Sequence, residues 1–117
     1  MTGLEVALRA AQAADEKKAD DVVVLDMGRL TVVTDYFVIC SGQTLTQVRA
    51  IARAVEEALE AEGVRPRRKE GDARWVLLDY GGTVVHIFHH AEREYYDLER
   101  LWADAPRVEW APAPSAP

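Results

Sequence analysis

Three aspartates, Asp26, Asp35 and Asp79, each stand at or beside the end of a β-prone run, where converging carboxylates could hold magnesium for phosphoryl chemistry. Their spacing is not diagnostic. Asp26 closes a strand and Asp35, after Thr34, enters one through a turn, so structural roles account for both. His86, His89 and His90 raise the question of a metal, but on a continuing strand positions 86 and 89 point to opposite faces. No nearby cysteine or convergent carboxylate completes a coordination shell. His86 is expected to hydrogen-bond beside Asp79, and His89-His90 to mark a strand-to-helix junction. Ser41-Gly42 ahead of a helix offers one glycine and no following lysine, too little to cradle phosphate through backbone amides. Cys40, inside an apolar run, reads as a small buried hydrophobe rather than a nucleophile. No Ser-His-Asp or Cys-His arrangement emerges, and no cofactor or metal is expected.

Residues 75–88 carry a different chemistry, that of contact. Gly81-Gly82 supplies the positive φ of a tight turn, so the runs Trp75–Tyr80 and Thr83–Phe88 should pair across it as a hairpin. A two-residue loop sets Leu78 opposite Val85, Leu77 opposite His86 and Trp75 opposite Phe88. Alternation then gives Val76, Leu78, Val85 and Ile87 to a plain apolar face, and Trp75, Leu77, Asp79, Val84, His86 and Phe88 to the other. The second set is too polar for an interior and too aromatic for open solvent. Each large apolar side chain left in water forgoes roughly 1.5–3 kcal/mol, so another element, a second copy or a partner is expected to cover that face.

Other elements must position this hairpin. Thr2-Gly-Leu-Glu5 matches a capping box, and Leu4, Ala7, Leu8, Ala11 and Ala14 recur at helical spacing to about Lys17. Asp21–Asp26 and Tyr36–Ser41 read as strands buried on two faces. Leu30, Val32 and Val33 in the connection between them are expected to fold back onto the sheet. Thr44-Leu-Thr-Gln47 is a second capping box, opening a helix with Val48, Ile51, Ala52, Val55 and Leu59 on one stripe, stopped by Gly63. Strand, helix and the strand at Trp75 make a crossover unit. A last helix from Ala91 to about Asp104 turns Tyr95, Leu98 and Leu101 or Trp102 inward before Pro106. The fold class is α/β, a small mixed sheet of four or five strands with packed helices.

The 117 residues suffice for one domain, expected over 1–110, with the Pro/Ala-rich 111–117 as a disordered tail. Fourteen Lys and Arg against twenty Asp and Glu leave a net charge of −6, which argues against extensive contact with nucleic-acid phosphates and favours a basic protein partner. Arg65-Pro-Arg-Arg-Lys69 is the one basic cluster. It follows an acidic helix end, Glu56 to Glu62, and reads as its counterweight, with at most minor contact with RNA. No run has the length of a membrane span and no leader pattern opens the chain, so a cytoplasmic location without membrane contact is expected.

Several motifs stand in order: Thr34-Asp-Tyr-Phe-Val-Ile-Cys-Ser-Gly42, Thr44-x-x-Gln-Val48, Glu70-Gly71, Trp75-x-Leu-Leu-Asp-Tyr-Gly81, Val84-Val-His-Ile-Phe88 and Tyr95-Tyr-x-Leu-Glu-x-Leu-Trp102. Together they resemble the ribosomal silencing factor family, also called the Iojap-like family, from about residue 4 to Trp110. Gly82 replaces the Asp or Asn more usual there, and the Pro-Ala tail lies outside the pattern. The resemblance implies a nucleotidyltransferase-like core without that superfamily's paired catalytic carboxylates, since Gln43-Thr44-Leu45-Thr46 follows Ser41-Gly42. A protein that is not an enzyme is thus implied. The implied role is to bind the large ribosomal subunit at ribosomal protein uL14, block joining of the small subunit and lower translation when nutrients are short. Organellar relatives act in ribosome assembly.

Residue chemistry is compatible with that role, because Trp and Tyr anchor interfaces and a rim carboxylate can pair with a basic ribosomal protein. The expected contact residues are Trp75, Leu77, Asp79, Tyr80 and His86, with Thr34, Asp35 and Tyr36 as neighbours. Three alternatives stay open. Trp75 and Phe88 could pack under the chain's own terminal segments, the face could be a homodimer seam in the free protein, or Asp26, Asp35 and Asp79 could serve a metal-dependent nucleotidyltransferase.

Overall fold

A computed structural model describes residues 1–112. Most of the expected tail therefore lies outside the described residues. The elements run α1 (Gly3–Glu16), β1 (Asp20–Asp26), β2 (Tyr36–Gly42), α2 (Leu45–Glu60), β3 (Arg68–Asp72), β4 (Trp75–Asp79), β5 (Thr83–His89), α3 (His90–Tyr96) and α4 (Leu98–Leu101). The five strands form one mixed sheet in the order β1-β2-β5-β4-β3, with only β2 and β5 parallel.

Local chemistry sets the helix ends. Thr2 and Glu5 form the reciprocal capping box of α1 (2.9 and 3.1 Å). At α2 only half of the second box exists. Thr44 Oγ1 accepts from Gln47 N (3.0 Å), but the Gln47 amide takes Gln43 N (2.8 Å) and donates to Lys18 O (3.1 Å), tying the helix to the turn after α1. The stop at Gly63 is a Schellman motif, with φ +77, Gly63 N on Glu60 O and Val64 N on Leu59 O.

Helices α1 and α2 cover one face of the sheet. Val24, Val38, Cys40, Val76, Leu78, Val85 and Ile87 meet Val48, Ile51, Val55 and Leu59 there, as the two stripes require. The stripe of α1 is rotated from the expected one, since Val6, Ala10 and Ala13 are buried and Leu4 is exposed. On the opposite face Val23, Leu25, Ile39 and Phe88 meet Met27 and Ala105, with Leu98 and Trp102 packed alongside.

Several expectations are corrected. The strand that returns parallel beside β2 is β5, not the strand at Trp75, because β3 and β4 intervene as a hairpin. Leu30, Val32 and Val33 do not fold back; Val32 and Val33 are among the most exposed residues. Their connection is anchored instead by polar backbone bonds, Met27 N to Asp35 O (2.7 Å) and Asp35 N to Gly82 O (3.1 Å), which leave its tip outside. The last helix is two short ones, broken where Asp97 adopts a left-handed conformation (φ 48). That break turns Tyr95 and Leu101 to solvent and leaves Leu98 and Trp102 against the sheet. β3 was not expected at all, being five exposed polar or glycine residues. The basic cluster does balance the acidic helix end, through Lys69 to Glu56 and Arg65 to Glu60, both 3.0 Å.

Candidate protein-docking face

The hairpin β4–β5 has the expected register, with Trp75 opposite Phe88, Leu77 opposite His86 and Leu78 opposite Val85. Its turn is held by Asp79 Oδ1, which accepts from Gly81 N (2.8 Å), and Gly81 has φ +86, a conformation an L side chain resists. Gly82 O accepts from both Asp35 N and Tyr36 N at 3.1 Å, which fastens the turn to the start of β2.

Away from α1 and α2, the sheet is covered on one side only. Helices α3 and α4 and Ala105 lie over β1, β2 and β5, where Trp102 meets Phe37 edge-on at 6.2 Å. Nothing described lies over β3, which is exposed along its length, and β4 stands at the boundary. Trp75, Leu77 and Asp79 are therefore partly exposed side by side, flanked through the β3 register by Asp72, Glu70 and Arg68. Trp75 stacks on Phe88 and is flanked by Tyr96, each with centroids 4.7 Å away. Arg68 Nη2 lies 3.7 Å from Asp79 Oδ2 and its Nε lies 3.1 Å from Glu70. The result is an aromatic and aliphatic strip with a mixed, net acidic rim.

The expected contact residues divide over this geometry. Trp75, Leu77 and Asp79 share the half-open face. Asp35 is exposed at its end, beside the Gly82 turn. His86 is on the same face but only 4% exposed, and its bond is not beside Asp79: Trp75 Nε1 donates to its Nδ1 at 3.1 Å. Burial pushes the imidazole pKa down to about 4, so the ring is neutral. Tyr80 and Tyr36 belong to the opposite face, against the helix-side core, because strand alternation carries them there. The Tyr80 hydroxyl is buried without a hydrogen-bond partner among the described residues, and burial, then Glu56, push its pKa up. Thr34 is buried and donates to Tyr36 O at 3.4 Å. Of these four, His86 and Thr34 are buried, while Tyr80 and Tyr36 are half-buried on the opposite face. Sequence reasoning missed Tyr96, Arg68, Glu70 and Asp72; residues 68–72 carry no apolar alternation that would mark them as a strand.

Asp26 Oδ1 accepts from Gly28 N (3.0 Å), and among the described residues no three His, Cys, Asp or Glu groups are placed to share a metal ion. His89 Nδ1 pairs with Glu92 (2.9 Å). Cys40 is wholly buried, and burial pushes its thiol up to about 12, only partly opposed by Arg93, so no thiolate forms near neutrality.

Comparison with known proteins identifies the family. A family model described as "Ribosomal silencing factor during starvation" matches residues 2–116. The chain is 50% identical over 99 residues to Ribosomal silencing factor RsfS of Bacillus subtilis, covering 83% of this chain and 84% of that one. It is 35% identical over 109 residues to the chloroplastic protein Iojap of Zea mays, covering 91% of this chain and 47% of that one. Among solved structures, a Chromobacterium violaceum protein superposes with a TM-score of 0.85 at 33% identity, over 97% of this chain and 95% of that one. A Bacillus halodurans protein superposes with a TM-score of 0.76 at 44% identity, over 91% and 95% of the two chains. With the family model spanning residues 2–116 and a 50% identical relative matched over most of both chains, the chain belongs to the ribosomal silencing factor family.

Proposed function

We propose that this protein docks on the large ribosomal subunit at ribosomal protein uL14, through the half-open face of β4, and obstructs the small subunit by its bulk. It acts in the cytoplasm, represses translation when nutrients are limiting, and catalyses nothing. The observation that carries the proposal is the incomplete cover of the sheet, which leaves Trp75, Leu77 and Asp79 in a row beside the exposed strand β3. Aromatic anchors supply large contact area at small entropic cost, and a net charge of −6 speeds encounter with a basic protein surface. No reacting group is needed. Occupancy alone sets the effect, so affinity and copy number determine how many subunits are silenced.

Co-sedimentation with isolated large subunits, followed by a subunit-joining assay, tests this. Wild-type protein should pellet with large subunits and inhibit joining. Trp75→Ala, removing a central aromatic anchor, should weaken binding by at least ~10-fold with joining restored in proportion. A folded Trp75→Ala protein that pellets undiminished places the contact elsewhere and overturns the assignment of this face.

A further inference from the structure

His86 is an uneconomical choice for its place. The ring lies in an aromatic cage, 4.6 Å from Phe37 edge-on, 5.9 Å from Trp75 and 6.2 Å from Phe88, nearly parallel to the last. Because Nδ1 accepts from Trp75 Nε1, the ring proton sits on Nε2, and Nε2 has no partner among the described residues. A buried donor without an acceptor costs free energy that a phenylalanine of similar volume would not incur. Only the bond to Trp75 offsets that cost. Deep burial lowers the ring's pKa to about 4, which keeps Nδ1 free to accept at neutral pH.

Trp75 is the residue that gains. Its indole is partly exposed at the boundary of the covered half, and an indole on a strand surface has several orientations open to it. With Nε1 turned inward onto His86 and the ring stacked on Phe88, one orientation is selected and the single polar atom of the side chain is withdrawn. The exposed remainder is carbon.

We infer that His86 is a positioning residue for docking: through Nδ1 it holds the Trp75 indole with its N–H turned inward, so that Trp75 offers the partner's aliphatic or cationic side chain only the carbons of its indole. The inference rests on the proposal that this face is the docking face. A partner group that seats on Trp75 does so by hydrocarbon or cation–π contact, not by accepting a hydrogen bond. Any substitution that frees the indole restores an ordering cost to each binding event.

His86→Phe keeps the ring volume and removes both the acceptor and the orphaned donor. Its thermal midpoint should not fall, while its affinity for isolated large subunits should drop about 5- to 10-fold. His86→Asn, whose side-chain oxygen falls near the position of Nδ1, should recover at least half of that loss in affinity despite the smaller volume. A purely structural histidine predicts the reverse pattern, with affinity following stability. In the 15N spectrum of the wild-type imidazole, His86 should be the Nε2–H tautomer; an Nδ1–H tautomer overturns the inference whatever the variants do. If wild type pellets, Trp75→Ala does not, and folded His86→Phe pellets like wild type, this inference falls and the docking proposal stands. Wild-type protein that fails to pellet overturns both.

Discussion

His86 also makes the fold sensitive to acid. Its pKa is near 4 in the folded protein and about 6.5 in an unfolded chain, so between those values the unfolded state binds more protons and stability drops as the pH is lowered. Above about 6.5 the contribution is complete. Below about 4 no more is lost. Going from pH 7 to pH 5 should cost on the order of 2 kcal/mol through this ring, because it is buried deeply enough for screening to be slight. Denaturant titrations at the two pH values should show that loss in wild type and a loss smaller by about that amount in His86→Phe. Equal pH dependence in the two proteins would mean that the imidazole is already protonated or already solvated in the fold. Cys40, by contrast, gives no such handle near neutrality, since its thiol titrates only at about 12.

At the scale of elements, the cover over the second face hangs on one side chain. Arg93 of α3 donates to Asp20 O (2.9 Å), Asp21 O (2.7 Å) and Ser41 Oγ (3.1 Å), and its Nε pairs with Glu99 at 2.9 Å. Those bonds join α3 to the start of β1, the end of β2 and α4, in a group whose side chain is only 12% exposed. Neither short helix has a buried residue of its own to hold it down. Arg93→Ala should therefore cost about 2–4 kcal/mol, and amide exchange should quicken over residues 90–102 more than in α2. Unchanged exchange there would show that Leu98 and Trp102 suffice. This dependence was illegible in the sequence, because a helical period from Ala91 to Asp104 says nothing of the left-handed residue at Asp97. Helix α2 was legible for the opposite reason: its cap, its apolar stripe and Gly63 all agree. The hairpin register followed from Gly81-Gly82, and with it the row Trp75, Leu77, Asp79. What the pattern could not give was depth. Alternation places His86 on the contact face, but only the tertiary fold brings Phe37 of the neighbouring strand edge-on against it. Strand β3 stayed hidden because all its residues are polar or glycine, a charged edge that discourages pairing with other chains.

For the whole molecule, the opposite edge of the sheet is protected in a different way. After α4 the chain turns and runs antiparallel beside β1, with Asp26 N donating to Pro106 O and Val108 N to Val24 O, both 2.8 Å. Trp110 Nε1 then donates to Val22 O (3.0 Å), and Val108 and Trp110 pack against the helix-side core, while Ala105 just before them lies on the other face. One segment thus closes both layers and leaves β3 as the free edge. Removing residues 106–117 should strip these partners from three backbone groups of β1 and uncover Val22 and Val24. The expected loss is about 3 kcal/mol, together with self-association at tens of micromolar, since an unguarded apolar edge is a template for pairing. Trp110→Ala separates the two effects. It keeps the backbone bonds at Pro106 and Val108, so it should cost about 2 kcal/mol while sedimentation stays that of wild type. Truncated protein that remains both as stable and as dispersed as the full chain would show that β1 needs no partner along its outer edge, and that the segment merely lies against it.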